Sequence, residues 1–110
     1  MEKIYNKLVR DNIPEIIIQD NRHAVTKILD DDCYKKELEK KLLEEYNEVL
    51  QTQTSDDRIE ELADILEIIH ALATLEGKTL NDVIRVAEEK KSKRGGFEKK
   101  IFLERVIDNG

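Results

Sequence analysis

The stretch that decides the fold is IEELADILEIIHALATL, residues 59–75. Its apolar residues recur every three or four positions, which predicts an α-helix that is apolar around most of its circumference. The narrow polar sector holds Arg58, Glu60 and Glu67. Glu61 and Asp64 instead project from the apolar side when residues are placed about 100° apart. A lone buried carboxylate costs several kcal/mol unless it is paired, neutralised or bound to a metal. This pair therefore needs a compensating partner.

A second acidic helix is predicted just before this one, from about residue 32 to residue 52. Glu44, Glu45 and Glu48 lie within an arc of about 100° on it, and Glu45 borders the apolar stripe. The stripe itself consists of Leu38, Leu42, Tyr46, Val49 and Leu50. For this helix alone the simplest interpretation is solvated pairing, because Lys40 and Lys41 stand four residues before Glu44 and Glu45.

The acidic residues of the two helices are interpreted differently when both helices are considered together. The short connection between them predicts antiparallel neighbours. Glu45 and Glu48 then face Glu61 and Asp64, two pairs with the same three-residue spacing. Four such carboxylates would repel one another, whereas one or two Mg²⁺ ions would hold them together and keep coordination positions open for phosphate and water. We therefore expect a divalent cation between the helices.

The same acidic segments resemble a known family. EEYNE (44–48), followed after twelve residues by ELAD (61–64), is similar to the EExxE…ExxD pattern of the MazG-like all-α nucleoside triphosphate pyrophosphohydrolases. YNKLVRDNIPEII (5–17) and KKSKRGGF (90–97) resemble the two ends of the phosphoribosyl-ATP pyrophosphohydrolase-like branch. One position departs from that branch, which usually has Lys where this chain has Asn12.

The resemblance implies a site and a reaction. The implied ligands of Mg²⁺ or Mn²⁺ are Glu45, Glu48, Glu61 and Asp64. Glu44 and Glu45 are the implied catalytic carboxylates, Glu44 as a supporting or additional acidic residue, and a carboxylate of the site would accept a proton from the attacking water. The family reaction hydrolyses the α–β phosphoanhydride of a nucleotide to a monophosphate and pyrophosphate.

Cationic side chains are needed as well, because the leaving pyrophosphate gains negative charge. Lys91 and Arg94, near the end of the third long helix, are the first candidates for substrate binding, and Lys7 and Arg10 are the second. The simplest alternative is that they are surface charges, with Lys91 and Arg94 compensating the helix dipole.

The rest of the chain predicts a single domain over residues 1–110. A short helix is expected within 10–21, a long helix over 80–94 capped by Thr79, and strands at 24–29 and 100–107. The predicted fold is an all-α antiparallel helical bundle with a small two-stranded β-ribbon. Three amphipathic helices are too few to enclose the helix at 59–75, so we expect a homo-oligomer, a dimer or a tetramer.

The composition of the chain argues against several classes of function. The chain has 110 residues, a charged fraction of 40% and a net charge of −6, which argues against a binder of nucleic-acid polymers or anionic membranes. The single Cys33 excludes an intrachain disulfide and a CxxC motif. No apolar run approaches the length of a membrane span, and no signal-peptide pattern is visible. A cytoplasmic protein is expected.

The leading hypothesis is thus an Mg²⁺-dependent enzyme that hydrolyses nucleotides, for example to remove unwanted ones. Phosphoribosyl-ATP is the alternative substrate, since its cleavage breaks the same bond. From a different class, the chain could be a non-catalytic helical interaction module. Four intact carboxylates argue against a module, because without a metal they would only destabilise the interface.

Overall fold

The computed structural model describes residues 1–108 of the chain. In this range it contains four α-helices and no β-strand. They are α1 (Ile13–Gln19), α2 (Asp31–Gln51), α3 (Ser55–Leu75) and α4 (Leu80–Arg94). The prediction of an all-α protein is confirmed.

Side chains cap the starts of the three long helices, at the places where the sequence has short polar residues. Asp30 precedes α2, Thr54 precedes α3 and Thr79 precedes α4, and each accepts a hydrogen bond from the backbone N–H three residues on. At α4 the contact is reciprocal, because the Asp82 carboxylate also accepts the Thr79 backbone N–H at 2.9 Å. These caps satisfy donors that a helix start otherwise leaves free.

Glycines end α3 and α4. Gly77 adopts a φ of 72°, which an L side chain would resist, and the N–H groups of Gly77 and Lys78 donate to the carbonyls of Thr74 and Ala73. Gly95, with a φ of 84°, donates its N–H to the carbonyl four residues earlier. The chain can therefore turn sharply after each helix.

α2 and α3 form an antiparallel hairpin. At its closed end the Val49 carbonyl accepts hydrogen bonds from Thr52 Oγ1 at 2.8 Å and from an Arg58 guanidinium nitrogen at 3.3 Å. At the far end Lys35 lies 3.9 Å from Glu76. The small core consists of Leu38, Val49, Ile68 and Ala73. Among the helices of the described range, α4 packs against α3 alone.

The prediction of a β-ribbon is wrong for residues 1–108, the part of the chain that the structure describes. Residues 24–29 and 100–107 form neither helix nor strand. Val25 and Ile28 are almost fully exposed, as is Phe102 in the C-terminal segment. β-branched residues favour a strand only where a neighbouring strand supplies hydrogen bonds and packing, and here neither segment has one.

The described chain is elongated. Its radius of gyration is 19.2 Å, whereas a compact domain of this length has a value of about 13 Å. α1 packs against no other helix of the described range. Much apolar surface therefore stays in contact with solvent.

None of the described helices has the length and apolarity that crossing a membrane would require.

Candidate metal centre

The α2–α3 hairpin brings three carboxylates together. Glu45 comes from α2, and Glu61 and Asp64 come from successive turns of α3. One oxygen of each lies within 4.8 Å of the others. Since the residues belong to different helices, the cluster is produced by helix packing and not by local sequence.

Glu45 is the most unusual of the three. Its residue exposure is 8%, the only charged residue of the described chain that is this buried. Within the described part of the chain its Oε2 atom has no hydrogen-bond partner, and Glu61 Oε2 also lacks one. Carboxylate oxygens are acceptors only, so two of them buried side by side without a donor are costly. A proton or a cation between them would remove this cost.

The crowding of the carboxylates also raises the pKa of two of them, Glu48 and Glu61. The Glu45 carboxyl, which can share a proton with Glu61, is the main cause of a raised pKa for Glu61, and burial adds to it. The pKa of Glu48 is also raised, first by the neighbouring Glu61 carboxyl and then by burial. Like charges close together disfavour ionisation in this way. Glu48 is thus electrostatically part of the cluster, although it is exposed and lies outside the tight triad.

Only one basic side chain reaches the cluster within residues 1–108. A guanidinium nitrogen of Arg10 donates to Asp64 Oδ1 at 2.6 Å. Lys40 and Lys41 form no ion pair in this range, so the solvated pairing considered for α2 does not occur. Among the residues that the structure describes, no basic side chain compensates the negative charge of Glu45 and Glu61.

The hairpin has an acidic flank and an apolar flank. From their helical positions, Glu44 and Glu48 lie on one side of the α2 face that meets α3, and Asp64 lies on the same side of the hairpin. Glu44 is half-buried there and stays outside the triad. The opposite flank carries exposed apolar residues of both helices: Leu43, Tyr46 and Leu50 on α2, and Ile59, Leu62 and Leu66 on α3.

The four candidate substrate-binding cations are distributed around the molecule. Arg10 contacts the cluster, as described above. Lys7 is exposed, and its Nζ lies 5.7 Å from the centre of the Tyr5 ring. Lys91 and Arg94 are exposed near the end of α4, where Lys91 Nζ lies 3.6 Å from Glu98. Within the described range, no hydrogen bond or ion pair joins Lys7, Lys91 or Arg94 to the carboxylates.

The Arg10–Asp64 contact was missed by the sequence analysis, which assigned Arg10 only to substrate binding. The two residues are 54 positions apart. Helical periodicity carries no information about where the irregular N-terminal segment contacts the α2–α3 hairpin. Two signals pointed in this direction: the excess of acidic over basic groups at the hairpin, and the N-terminal motif that made Arg10 a candidate at the site.

None of the family models, curated proteins and solved structures compared with this chain matches it. The family resemblance therefore rests on the sequence motifs alone.

Proposed function

We propose that the protein is an Mg²⁺-dependent nucleotide pyrophosphohydrolase of the MazG-like type that acts in the cytoplasm. The observation that carries the proposal is the buried Glu45 carboxylate. Its Oε2 has no hydrogen-bond donor among residues 1–108, and one carboxylate oxygen each of Glu45, Glu61 and Asp64 lie within 4.8 Å of one another. A chain that needed only a stable hairpin would place apolar residues at these positions. Retaining charge there is reasonable if a cation is bound.

The donor set fits a hard divalent cation. Glu45, Glu61 and Asp64 offer only carboxylate oxygens, and Glu48 lies close enough to perturb Glu61. Oxygen-only sites suit Mg²⁺ and Mn²⁺, which need not take all their ligands from protein. These four residues would hold the ion. The ion would supply neutralisation of the charge on the substrate's phosphates.

The residues around the cluster have distinct proposed roles. Glu44 or Glu45 would accept the proton of the water that attacks the α-phosphorus. Arg10 is close enough to contact a phosphate beside the cluster. Lys91, Arg94 and Lys7 would meet phosphates farther from the metal, or reach the cluster of a neighbouring copy. The bond between the α- and β-phosphates breaks, and pyrophosphate leaves.

Self-association is part of the proposal, because the apolar flank of the hairpin is continuous. The residues at 43, 46 and 50 of α2 and at 59, 62 and 66 of α3 have the same spacing, and in the antiparallel hairpin they stand at three matching levels. All six are exposed, between 44% and 65%. A second copy placed on this flank would bury them and leave the acidic flank open to substrate. A homodimer, or a tetramer built from it, fits this surface.

Product analysis tests the proposed reaction. A panel of nucleoside triphosphates together with phosphoribosyl-ATP is incubated with the protein and Mg²⁺ in ¹⁸O-water, and the products are separated. We expect the corresponding monophosphate and pyrophosphate in equal amounts, with the label in the monophosphate. Glu61→Gln serves as the inactive control for contaminating hydrolases. Release of a diphosphate, or label in pyrophosphate, would contradict the proposal.

A further inference from the structure

Within residues 1–108, one side chain joins the N-terminal segment to the carboxylate cluster by a hydrogen bond. Arg10 lies three residues before α1, and its guanidinium bonds Asp64 Oδ1 at 2.6 Å. Leu8 and Val9 beside it are partly buried, whereas residues 1–7 are exposed. Arg10 thus provides a polar contact between this end of the chain and α3, here called the N-terminal anchor.

The anchor uses a carboxylate that also belongs to the triad. Asp64 has one oxygen within 4.8 Å of oxygens of Glu45 and Glu61. A divalent ion ligated by these groups would lie about 2.0–2.6 Å from their oxygens. It would therefore stand within a few ångströms of the guanidinium, and two cations at this separation repel each other.

We infer that Arg10 is an exchangeable counter-charge of the cluster, which pairs with Asp64 in the metal-free protein and is displaced when a divalent cation binds. This inference rests on the proposed metal site and adds a consequence to it. Metal loading releases the N-terminal anchor, and it frees a guanidinium at the edge of the cluster. A free guanidinium in that place is well suited to contact a phosphate oxygen.

The exposure of the pair makes exchange feasible. The side chains of Arg10 and Asp64 are 56% and 40% exposed. Ion pairs with this degree of exposure are weak, so a dication can displace the guanidinium at a cost equivalent to about a two- to fivefold change in affinity. Glu45 and Glu61, by contrast, pair with no basic side chain of residues 1–108.

Mn²⁺ binding to the full chain tests the inference without any measurement of activity. Mn²⁺ affinity is measured by calorimetry or by the electron paramagnetic resonance of the free ion, for the wild type, Arg10→Gln and Arg22→Gln. Arg22 is the matched control, since it pairs with Asp20 at 3.1 Å on the exposed surface and its loss changes the net charge equally. We expect Arg10→Gln to bind Mn²⁺ about two- to fivefold more tightly than Arg22→Gln.

Equal or weaker binding by Arg10→Gln would overturn the inference and leave the proposed metal site standing. Absence of Mn²⁺ binding in all three proteins would overturn the site itself, and the inference with it.

Tryptic cleavage after Lys7 provides a second readout in the wild type. Release of the anchor should expose the Lys7–Leu8 bond, so cleavage there should be faster with saturating Mn²⁺ than with EDTA. Cleavage after Lys99 or Lys100, in the exposed C-terminal segment, reports any direct effect of the ion on the protease. Slower or unchanged cleavage after Lys7, relative to this control, would contradict displacement.

Discussion

Glu60 and Glu61 are neighbours in the chain but occupy different surroundings on α3. Glu60 is exposed, whereas Glu61 is half-buried beside Glu45, and one of its oxygens has no hydrogen-bond partner in the described range. Glu61→Gln should lower the turnover number about 100-fold or more, because loss of a metal ligand should exceed the 10- to 100-fold typical of residues behind the ligands. Glu60→Gln should stay within a few-fold of the wild type. Steady-state kinetics at saturating Mg²⁺ measure both, and an inactive Glu60→Gln would show that the assignment of residues to helix faces is wrong.

The raised pKa values of Glu48 and Glu61 predict a pH dependence of stability in the metal-free protein. In the folded state both carboxyls keep protons at pH values where the unfolded chain releases them. The stability they contribute is complete below about pH 4.3, the ordinary pKa of glutamate, and is lost as the pH rises through the raised values. Glu61→Gln keeps a neutral side chain at every pH, so in EDTA it should become more stable than the wild type as the pH rises.

Urea denaturation between pH 4 and pH 8 measures this difference. Glu60→Gln is the control, because its difference from the wild type should change little with pH. An advantage of Glu61→Gln that shrinks as the pH rises would contradict the cause assigned to these pKa shifts. Saturating Mg²⁺ should reverse the order of the two proteins at neutral pH, since metal binds the ionised wild-type cluster.

Part of this chemistry could be predicted from residue positions along a helix. Periodicity placed Glu61 and Asp64 on the inner side of α3 and Glu60 and Glu67 outside, and the burial of these residues confirms it. Periodicity could not predict that Arg10 would contact Asp64, because this contact depends on the path of an irregular segment. Periodicity also could not predict that Glu48 lies outside the tight triad. Membership of the triad depends on the distance between the helices, which the pattern of one helix does not contain.

At the scale of elements, α3 begins at a side-chain cap provided by Thr54. Thr54 Oγ1 accepts the Asp57 backbone N–H at 3.1 Å. Thr54→Ala should lower the free energy of unfolding by about 1 kcal/mol. Thr74→Ala is a matched control, because Thr74 Oγ1 donates to the His70 carbonyl within the same helix and Ala is the better helix former there. Urea denaturation measures both, and equal effects of the two substitutions would argue against the cap.

The helices could be predicted from the sequence because their signals are local. Asp30, Thr54 and Thr79 stand at the helix starts, and Gly77 and Gly95 stand where α3 and α4 end. The strands at 24–29 and 100–107 could not be predicted reliably, since a strand forms only when a partner is present. The residue types in these two segments indicate an extended, apolar chain, but they do not indicate whether the segments pair with another strand.

At the scale of the whole molecule, the exposed apolar flank predicts self-association. Leu62 lies at the middle level of this flank and is 44% exposed. Leu62→Lys should shift the assembly towards the monomer, because a buried ammonium group has no partner on the apolar surface. Ile28→Lys is the control, since Ile28 is 98% exposed and lies outside the flank. Sedimentation equilibrium measures the mass against the monomer value of 12.9 kDa.

A wild type that sediments as a monomer at micromolar concentrations would contradict the predicted homo-oligomer. An Ile28→Lys variant that dissociates as readily as Leu62→Lys would show that another surface forms the contact.

The measurement that tests the central claim most directly is thermal unfolding of the wild type in EDTA and in increasing Mg²⁺. The claim is that Glu45, Glu48, Glu61 and Asp64 hold a divalent cation. An ion that binds only the folded chain stabilises it by RT ln(1 + [L]/Kd), which is about 2.7 kcal/mol at 100 times Kd. We therefore expect the melting temperature to rise by several degrees and to keep rising with the logarithm of the Mg²⁺ concentration, and Glu61→Gln should lose most of this response. A wild-type melting temperature that is the same in EDTA and in millimolar Mg²⁺ would contradict the claim.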